Sequence, residues 1–117
     1  IDEINSQKND FIVLSMKDKK IVIKIADILY CERNIRSTSV FISEKTVSVS
    51  QSLDDIFERL KNSDFTRCHK SFIVNMKNVK DLYRNKYILE NESEVPISRS
   101  FSDATKTDFA KFMCKGV

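Results

Sequence analysis

The chain has 117 residues, 41% hydrophobic and 32% charged, with a formal net charge of +3. That length suits one hydrophobic core and excludes two good ones. The composition excludes a disordered chain, and no apolar run approaches the roughly 20 residues that a membrane-spanning helix needs.

The first segments, DFIVLSM and KKIVIKI, are β-branched runs separated by the polar KDK and read as a hairpin. ADILYCE follows as another extended segment. SVFIS and TVSVS, joined by a short EK turn, form a second hairpin, and TVSVS alternates as a strand with one wet face should. In QSLDDIFERLKNS, Ser52 can cap a helix with Asp55 three residues on, and Leu53, Ile56, Phe57 and Leu60 then share one face. SFIV, VKDLYR and YILE resume the strands, with Asn85 and Lys86 as a tight turn. VPIS carries the single proline, which suits an edge strand or turn. From Ser100 to Met113, the apolar residues Phe101, Ala104, Phe109, Phe112 and Met113 recur at helical spacing.

The expected fold is mainly β, with seven or eight short strands, a short amphipathic helix near 52–61 and a C-terminal helix near 101–113. It forms one domain over 1–117. Ile28, Leu29, Phe41, Phe57, Phe72, Ile73, Val74 and Phe109 are the expected core. The chain begins at Ile1 with no secretion-signal pattern, which leads us to expect part of a longer protein. Three cysteines, Cys31, Cys68 and Cys114, form no C-x-x-C pair, which favours reduced thiols in a cytoplasm over a disulfide framework.

The stretch DFTRCHKSFIVN, residues 64–75, holds the only histidine beside an arginine, a lysine and a cysteine. In an extended segment Cys68 and His69 point to opposite faces, so they do not make a nucleophile and base pair. One histidine and three scattered cysteines offer none of the paired spacings of a zinc site. The lone glycine, Gly116, leaves no phosphate-cradling loop. No catalytic role, metal or cofactor is expected. Between Asp64 and Lys80 the charges are Arg67, Lys70, Lys77 and Lys80 against Asp64, a local basic excess. Such side chains, with Ser and His, are the usual donors to phosphate oxygens. A solvated strand start would use the same residues. A single-stranded nucleic-acid module with stacking aromatics and a protein-interaction β module also stay open.

FTRCHKSFIVNMKNV resembles the signature F-x-R-x-H-x-S-F-(I/V)-V-N of the LytTR family, the DNA-binding domains found mostly at the C-terminus of bacterial response regulators. DILYCE is similar to the family's early D-I-x-(Y/F)-x-E strand, SLDDIFERL to its short helix, and VPISRSF to its late strand and S-R segment. The pieces occur in family order and cover nearly the whole chain. The resemblance implies an elongated stack of small antiparallel β-sheets that grips DNA through loops. Side chains from separate loops enter successive major grooves, and others hold the phosphates between. It implies sequence-specific binding of double-stranded promoter DNA with paired repeats by a transcription regulator. With that go two copies per site, an upstream receiver domain, a cytoplasmic location and no membrane.

Three regions correspond to the family's contacts: 33–39, 67–71 and 98–100. Arg99 matches the base-reading arginine, whose fork fits guanine O6 and N7. Lys70 stands after the motif histidine, where family members reach bases or phosphates. His69 is implied to hold a phosphate or fix the loop, Arg67 and Ser71 to share that duty, and Lys77 to add docking charge. Where many relatives carry an S-K-H-R-like sequence, this chain has IRSTSV. Arg36 is then expected at phosphate, Ser37 beside it, and Thr38 at a thymine methyl or base edge. Asn75 is expected to brace the turn after its strand.

Overall fold

The computed structural model describes residues 11–43, 45–60 and 64–115. Glu44 of the expected EK turn and Lys61 at the expected helix end lie outside the described residues. Strands β1 (Phe11–Met16) and β2 (Lys19–Lys24) form a two-stranded antiparallel hairpin. Strands β3 (Ile28–Arg33), β4 (Thr38–Ile42), β5 (Lys45–Val49), β6 (Phe65–His69) and β7 (Phe72–Asn75) form a five-stranded sheet in the order β5-β4-β3-β7-β6. Strands β8 (Val79–Tyr83), β9 (Lys86–Leu89) and β10 (Glu94–Pro96) make a third sheet with β9 in the middle. Every pairing described is antiparallel. Helices α1 (Leu53–Leu60) and α2 (Arg99–Lys115) complete the fold. The small stacked sheets and two helices are the architecture expected from the sequence. β6 and β10 bring the strands to ten among the described residues.

Because side chains alternate along a strand, the central sheet feeds two cores. Cys31, Val40, Val47, Val49 and Ile73 pack on one side against Ile12, Leu14 and Ile23 of the hairpin and Leu53, Ile56 and Leu60 of α1. On the other side Cys68 and Val74, joined by Leu29, meet Tyr87, Leu89, Val95 and Ile97, with Phe109 against them. A bulge between Ile28 and Tyr30 puts Leu29 and Tyr30 with the same core. Of the expected core residues, Ile28, Leu29, Ile73 and Val74 are buried, whereas Phe41, Phe57, Phe72 and Phe109 are half-buried at the margins. The sequence reading missed Tyr87, the largest fully buried side chain.

Local chemistry explains the helix starts and the turns. The Ser52 hydroxyl accepts the Asp55 amide at 3.1 Å, the expected N-cap of α1. Asn75 donates to the Ile28 carbonyl at 2.9 Å and accepts the Lys77 amide at 3.1 Å, bracing the turn after β7. The turn between β8 and β9 is Arg84–Asn85, one residue earlier than expected, because Tyr83 pairs with Lys86 and Tyr87 must face the core. Arg84 (φ 55°) and Lys17 (φ 57°), the first residues of the β8–β9 and β1–β2 turns, are left-handed. A side chain in that region costs roughly 1 kcal/mol, which is why glycine is preferred there.

Helix α2 departs most from its apolar pattern. Ala104 and Met113, expected on its buried face, are exposed, while Thr105 is fully buried. Thr105 Oγ1 lies 2.8 Å from the Tyr87 hydroxyl and 3.0 Å from Thr66 Oγ1, and Thr66 also donates to Asp108 at 2.6 Å. The helix is thus docked by hydrogen bonds as well as by Phe109, each bond worth about 1 kcal/mol net. Burial pushes the Tyr87 hydroxyl up to about 12.

Candidate nucleic-acid interface

The antiparallel order brings the three sequence-predicted regions to one end of the central sheet. β3 ends where β7 begins, with Glu32 opposite Phe72, and the Arg33 amide donates to the Ser71 carbonyl at 2.8 Å. That bond ties the loop after β3 to the turn after β6. The loop itself is closed by the Asn34 amide on the Ser37 carbonyl, 2.8 Å, and by the Asn34 side chain on the Ser39 hydroxyl, 2.7 Å. On the other side of β6, the Ser98 amide donates to the Cys68 carbonyl at 2.9 Å, which fixes Arg99 at the first position of α2 beside the same turn. Loop 34–37, turn 69–71 and Arg99 therefore form a row. Strand spacing of about 4.8 Å sets loop 34–37 and Arg99 roughly 20 Å apart along it.

Within the row the side chains have separate duties. Arg36, Lys70 and Arg99 are exposed and have no acidic partner among the described residues. His69 accepts the Ser71 amide on Nδ1 at 3.0 Å, and its ring meets Phe72 edge-on at 5.4 Å. With Nδ1 occupied as an acceptor, the ring proton of neutral His69 sits on Nε2, which is left as a donor. Ser37 is half-buried and its carbonyl closes the loop, while Ser71 is half-buried and joins the two loops through its backbone. The Ser98 hydroxyl is buried with no hydrogen-bond partner among the described residues.

Three of the expected contact residues are placed elsewhere or otherwise engaged. Arg67 points inward: Nη1 reaches Asp54 Oδ1 at 2.6 Å, Nη2 the Lys70 carbonyl at 2.7 Å and Nε the His69 carbonyl at 3.3 Å. Its guanidinium also lies 5.8 Å from the Phe101 ring centre. It is a strut for the turn, with every nitrogen committed. Thr38 is fully buried, accepting from Arg33 Nη1 at 3.0 Å and donating to the Gln51 carbonyl at 2.7 Å. A base cannot reach that hydroxyl or methyl. Lys77 lies beyond the far end of β7, roughly 15 Å from Ser71 by strand rise, and its Nζ is 3.9 Å from Asp64. Lys80 is bound by Glu92 at 2.5 Å. Of the four cations between 64 and 80, Lys70 alone has no acidic partner among the described residues.

The residue that the sequence reading passed over is Ile35. It stands at the tip of the loop beside Arg36 and is 93% exposed, the most exposed large hydrophobic residue described. The contact loop expected over 33–39 includes it, but contact roles there went only to Arg36, Ser37 and Thr38; in the loop closed by Asn34 and Ser37 it stands outward. Burial pushes the thiols of Cys31 and Cys68 up to about 12, so both stay protonated and poor as nucleophiles. Among the described residues no three His, Cys, Asp or Glu side chains are grouped to hold a metal ion, and no helix is long and apolar enough to cross a membrane.

Comparison with known proteins agrees with this geometry. The chain is 34% identical over 101 residues to the transcriptional regulatory protein YpdB of Escherichia coli O6:H1, covering 81% of this chain and 41% of that protein. It is 28% identical over 100 residues to the sensory transduction protein LytT of Bacillus subtilis, covering 81% and 42%. The chain thus spans about two fifths of the length of these curated relatives. Among solved structures, a Bacillus cereus chain described as a LytTr DNA-binding domain superposes with a TM-score of 0.72 at 30% identity, over 85% of this chain and 95% of that one. The family model for the LytTr DNA-binding domain matches residues 18–109. With its sheets, its row of loops and its motifs all in family order, this chain belongs to the LytTr DNA-binding domain family.

Proposed function

We propose that the chain is the sequence-specific, double-stranded-DNA-binding part of a bacterial transcription regulator. The observation that carries this reading is the row itself, in which three segments distant in sequence meet at one sheet end and present Arg36, Lys70 and Arg99 without acidic partners among the described residues. Arg99, on the first turn of a helix docked by Thr105 and Asp108, reads guanine in a major groove with its forked guanidinium. Loop 34–37 enters the neighbouring groove. There Ile35 takes the role expected of Thr38 and meets a thymine methyl, the apolar group that the major groove offers. Between these points His69 donates from Nε2 to a phosphate, and Lys70 and Arg36 supply charge.

Two copies bind paired repeats in a promoter, and the further length of the relatives corresponds to a regulatory part, of which a receiver is the expected kind. The deciding experiment is selection of bound molecules from a random duplex pool by the 117-residue chain. Enrichment of a paired motif supports the reading. Recovery of single strands, or no enrichment at all, overturns it.

A further inference from the structure

Two features outside the row remain unexplained, and they share one peculiarity. The β1–β2 and β8–β9 hairpins each open their turn with a cation, Lys17 and Arg84, held in the left-handed region where a side chain is unfavourable. Two-residue hairpin turns call for a left-handed residue there, and Glu92 (φ 74°) adopts the same region elsewhere; what distinguishes the two hairpins is that the residue at that place is a cation. Neither residue has an acidic partner among the described residues.

Both tips lie at the edges of the row. The β1–β2 hairpin is fastened beside loop 34–37 by the Ser50 amide on the Ser15 carbonyl, 2.9 Å, and by the Ser15 amide on Gln51 Oε1, 2.9 Å. Between that tip and the loop is an open cleft of about 670 Å³, lined by Lys17, Asp18, Lys19, Arg36, Ser37 and Ser50 among others. Three cations and three serines stand there against one carboxylate. At the opposite edge the Ile97 amide donates to the Asn85 carbonyl at 2.8 Å, so the Arg84–Asn85 turn is tied one residue from Ser98 and two from Arg99. The Arg84 guanidinium rests 5.3 Å from the Tyr83 ring centre, out in solvent.

We propose that the two hairpin tips bracket the recognition row, Lys17 and Lys19 on one side and Arg84 on the other, and hold backbone phosphates outside the bases being read. This rests on the DNA-binding reading above and extends its footprint to both sides. Rigid tips suit the task. A cation on a two-residue turn pinned at its base by backbone hydrogen bonds loses less freedom on binding than one on a long loop. The wide cleft beside Lys17 has an apolar floor that includes Met16 and Val49, and cations from two separate elements, the hairpin tip and Arg36, stand at it.

The test uses glycine, which relieves the left-handed strain while removing the charge. The variants are Lys17→Gly, Arg84→Gly and the pair together, measured on the duplex that selection recovers. Each cation withdrawn from a phosphate lowers the slope of log affinity against log salt by about 0.9. The paired variant should therefore show a slope smaller by about 1.8, while Tm rises by several degrees because the turns are no longer strained. A structural role for these side chains would lower Tm and leave the slope alone. Lys19→Ala, which leaves the strained turn intact, should reduce the slope by about 0.9 by itself. If wild-type chain binds the duplex and all these variants keep its slope, the bracket is wrong and the DNA reading stands. If wild-type chain binds no duplex, both fall together.

Discussion

Arg67 separates a strut from a phosphate ligand, and the two roles give opposite results when it is replaced by alanine. In the structure Arg67 is largely shielded, with a side chain 18% exposed, and its nitrogens hold the His69 and Lys70 carbonyls and Asp54. The two bonds to carbonyls at the protein surface are worth about 1 kcal/mol each, since water can replace them in part. The pair with Asp54, whose side chain is 83% exposed, adds less than about 1 kcal/mol because solvent screens it. Arg67→Ala should therefore cost about 2–3 kcal/mol of stability, which in a domain of this size lowers Tm by about 10–15 °C. Lysine should not restore it, because a single ammonium cannot span two carbonyls and a carboxylate at once. Urea unfolding gives the stability change, and titration of duplex at several salt concentrations gives the slope. The slope should not change. An unaltered unfolding midpoint with a slope smaller by about one unit would show that Arg67 faces phosphate, as the sequence reading has it, and would refute the strut.

The remaining predictions concern reading, contact and pH. Arg99→Ala should weaken cognate binding by about 1–3 kcal/mol and scrambled DNA much less; equal losses on both would remove its reading role. For Ile35, replacing the matched thymine by deoxyuridine should cost wild-type chain about 0.8 kcal/mol, the worth of one buried methyl, and cost Ile35→Ala nothing. If no thymine in the site behaves so, Ile35 does not touch one. Cys31, Cys68 and Tyr87 are all raised by burial to about 12, from ordinary values of 9.0 for the thiols and 10.0 for the phenol. Their folded forms keep protons that the unfolded chain releases, so their contribution is complete below about pH 9 and is lost as pH rises towards 12. Urea midpoints should fall across that window, and Cys31→Ala or Cys68→Ala should flatten the fall; a pH-independent midpoint would contradict the burial of these groups.

Much of the fold was legible because it depends on local pattern. The alternation of TVSVS and the capping serine before LDDIFERL are written in neighbouring residues, and the strand and the helix are where those patterns put them. What escaped depends on partners far away in sequence. Thr105 faces inward because Thr66 and Tyr87 offer it hydrogen bonds across 39 and 18 residues, and apolar periodicity cannot register a helix docked by hydroxyls. The same limit explains Thr38 and Arg67. Thr38 is engaged by Gln51, just before α1, and Arg67 by Asp54 on the first turn of α1, partners that neither residue's own segment reveals. Ile35 was missed for another reason: the loop around it was legible, but contact roles went to its polar neighbours, and its exposure is seen only in the closed loop. The row as a whole could be assigned from motifs, but its membership needed the pairing of β3, β7 and β6.

The turn at 69–71 is distinguished by what it withholds. A tight backbone turn ordinarily shows carbonyl oxygens to solvent, and each is a partial negative charge that would oppose an approaching polyanion. Here the His69 and Lys70 carbonyls are both taken by Arg67, and the Ser71 carbonyl by the Arg33 amide. Three successive acceptors are thus removed from the face of the turn, leaving His69 Nε2–H and the Lys70 ammonium to be seen. The shielded arginine has its own nitrogens committed to these acceptors and Asp54. By neutralising its neighbours' lone pairs it turns an ordinary loop into a surface made of donors.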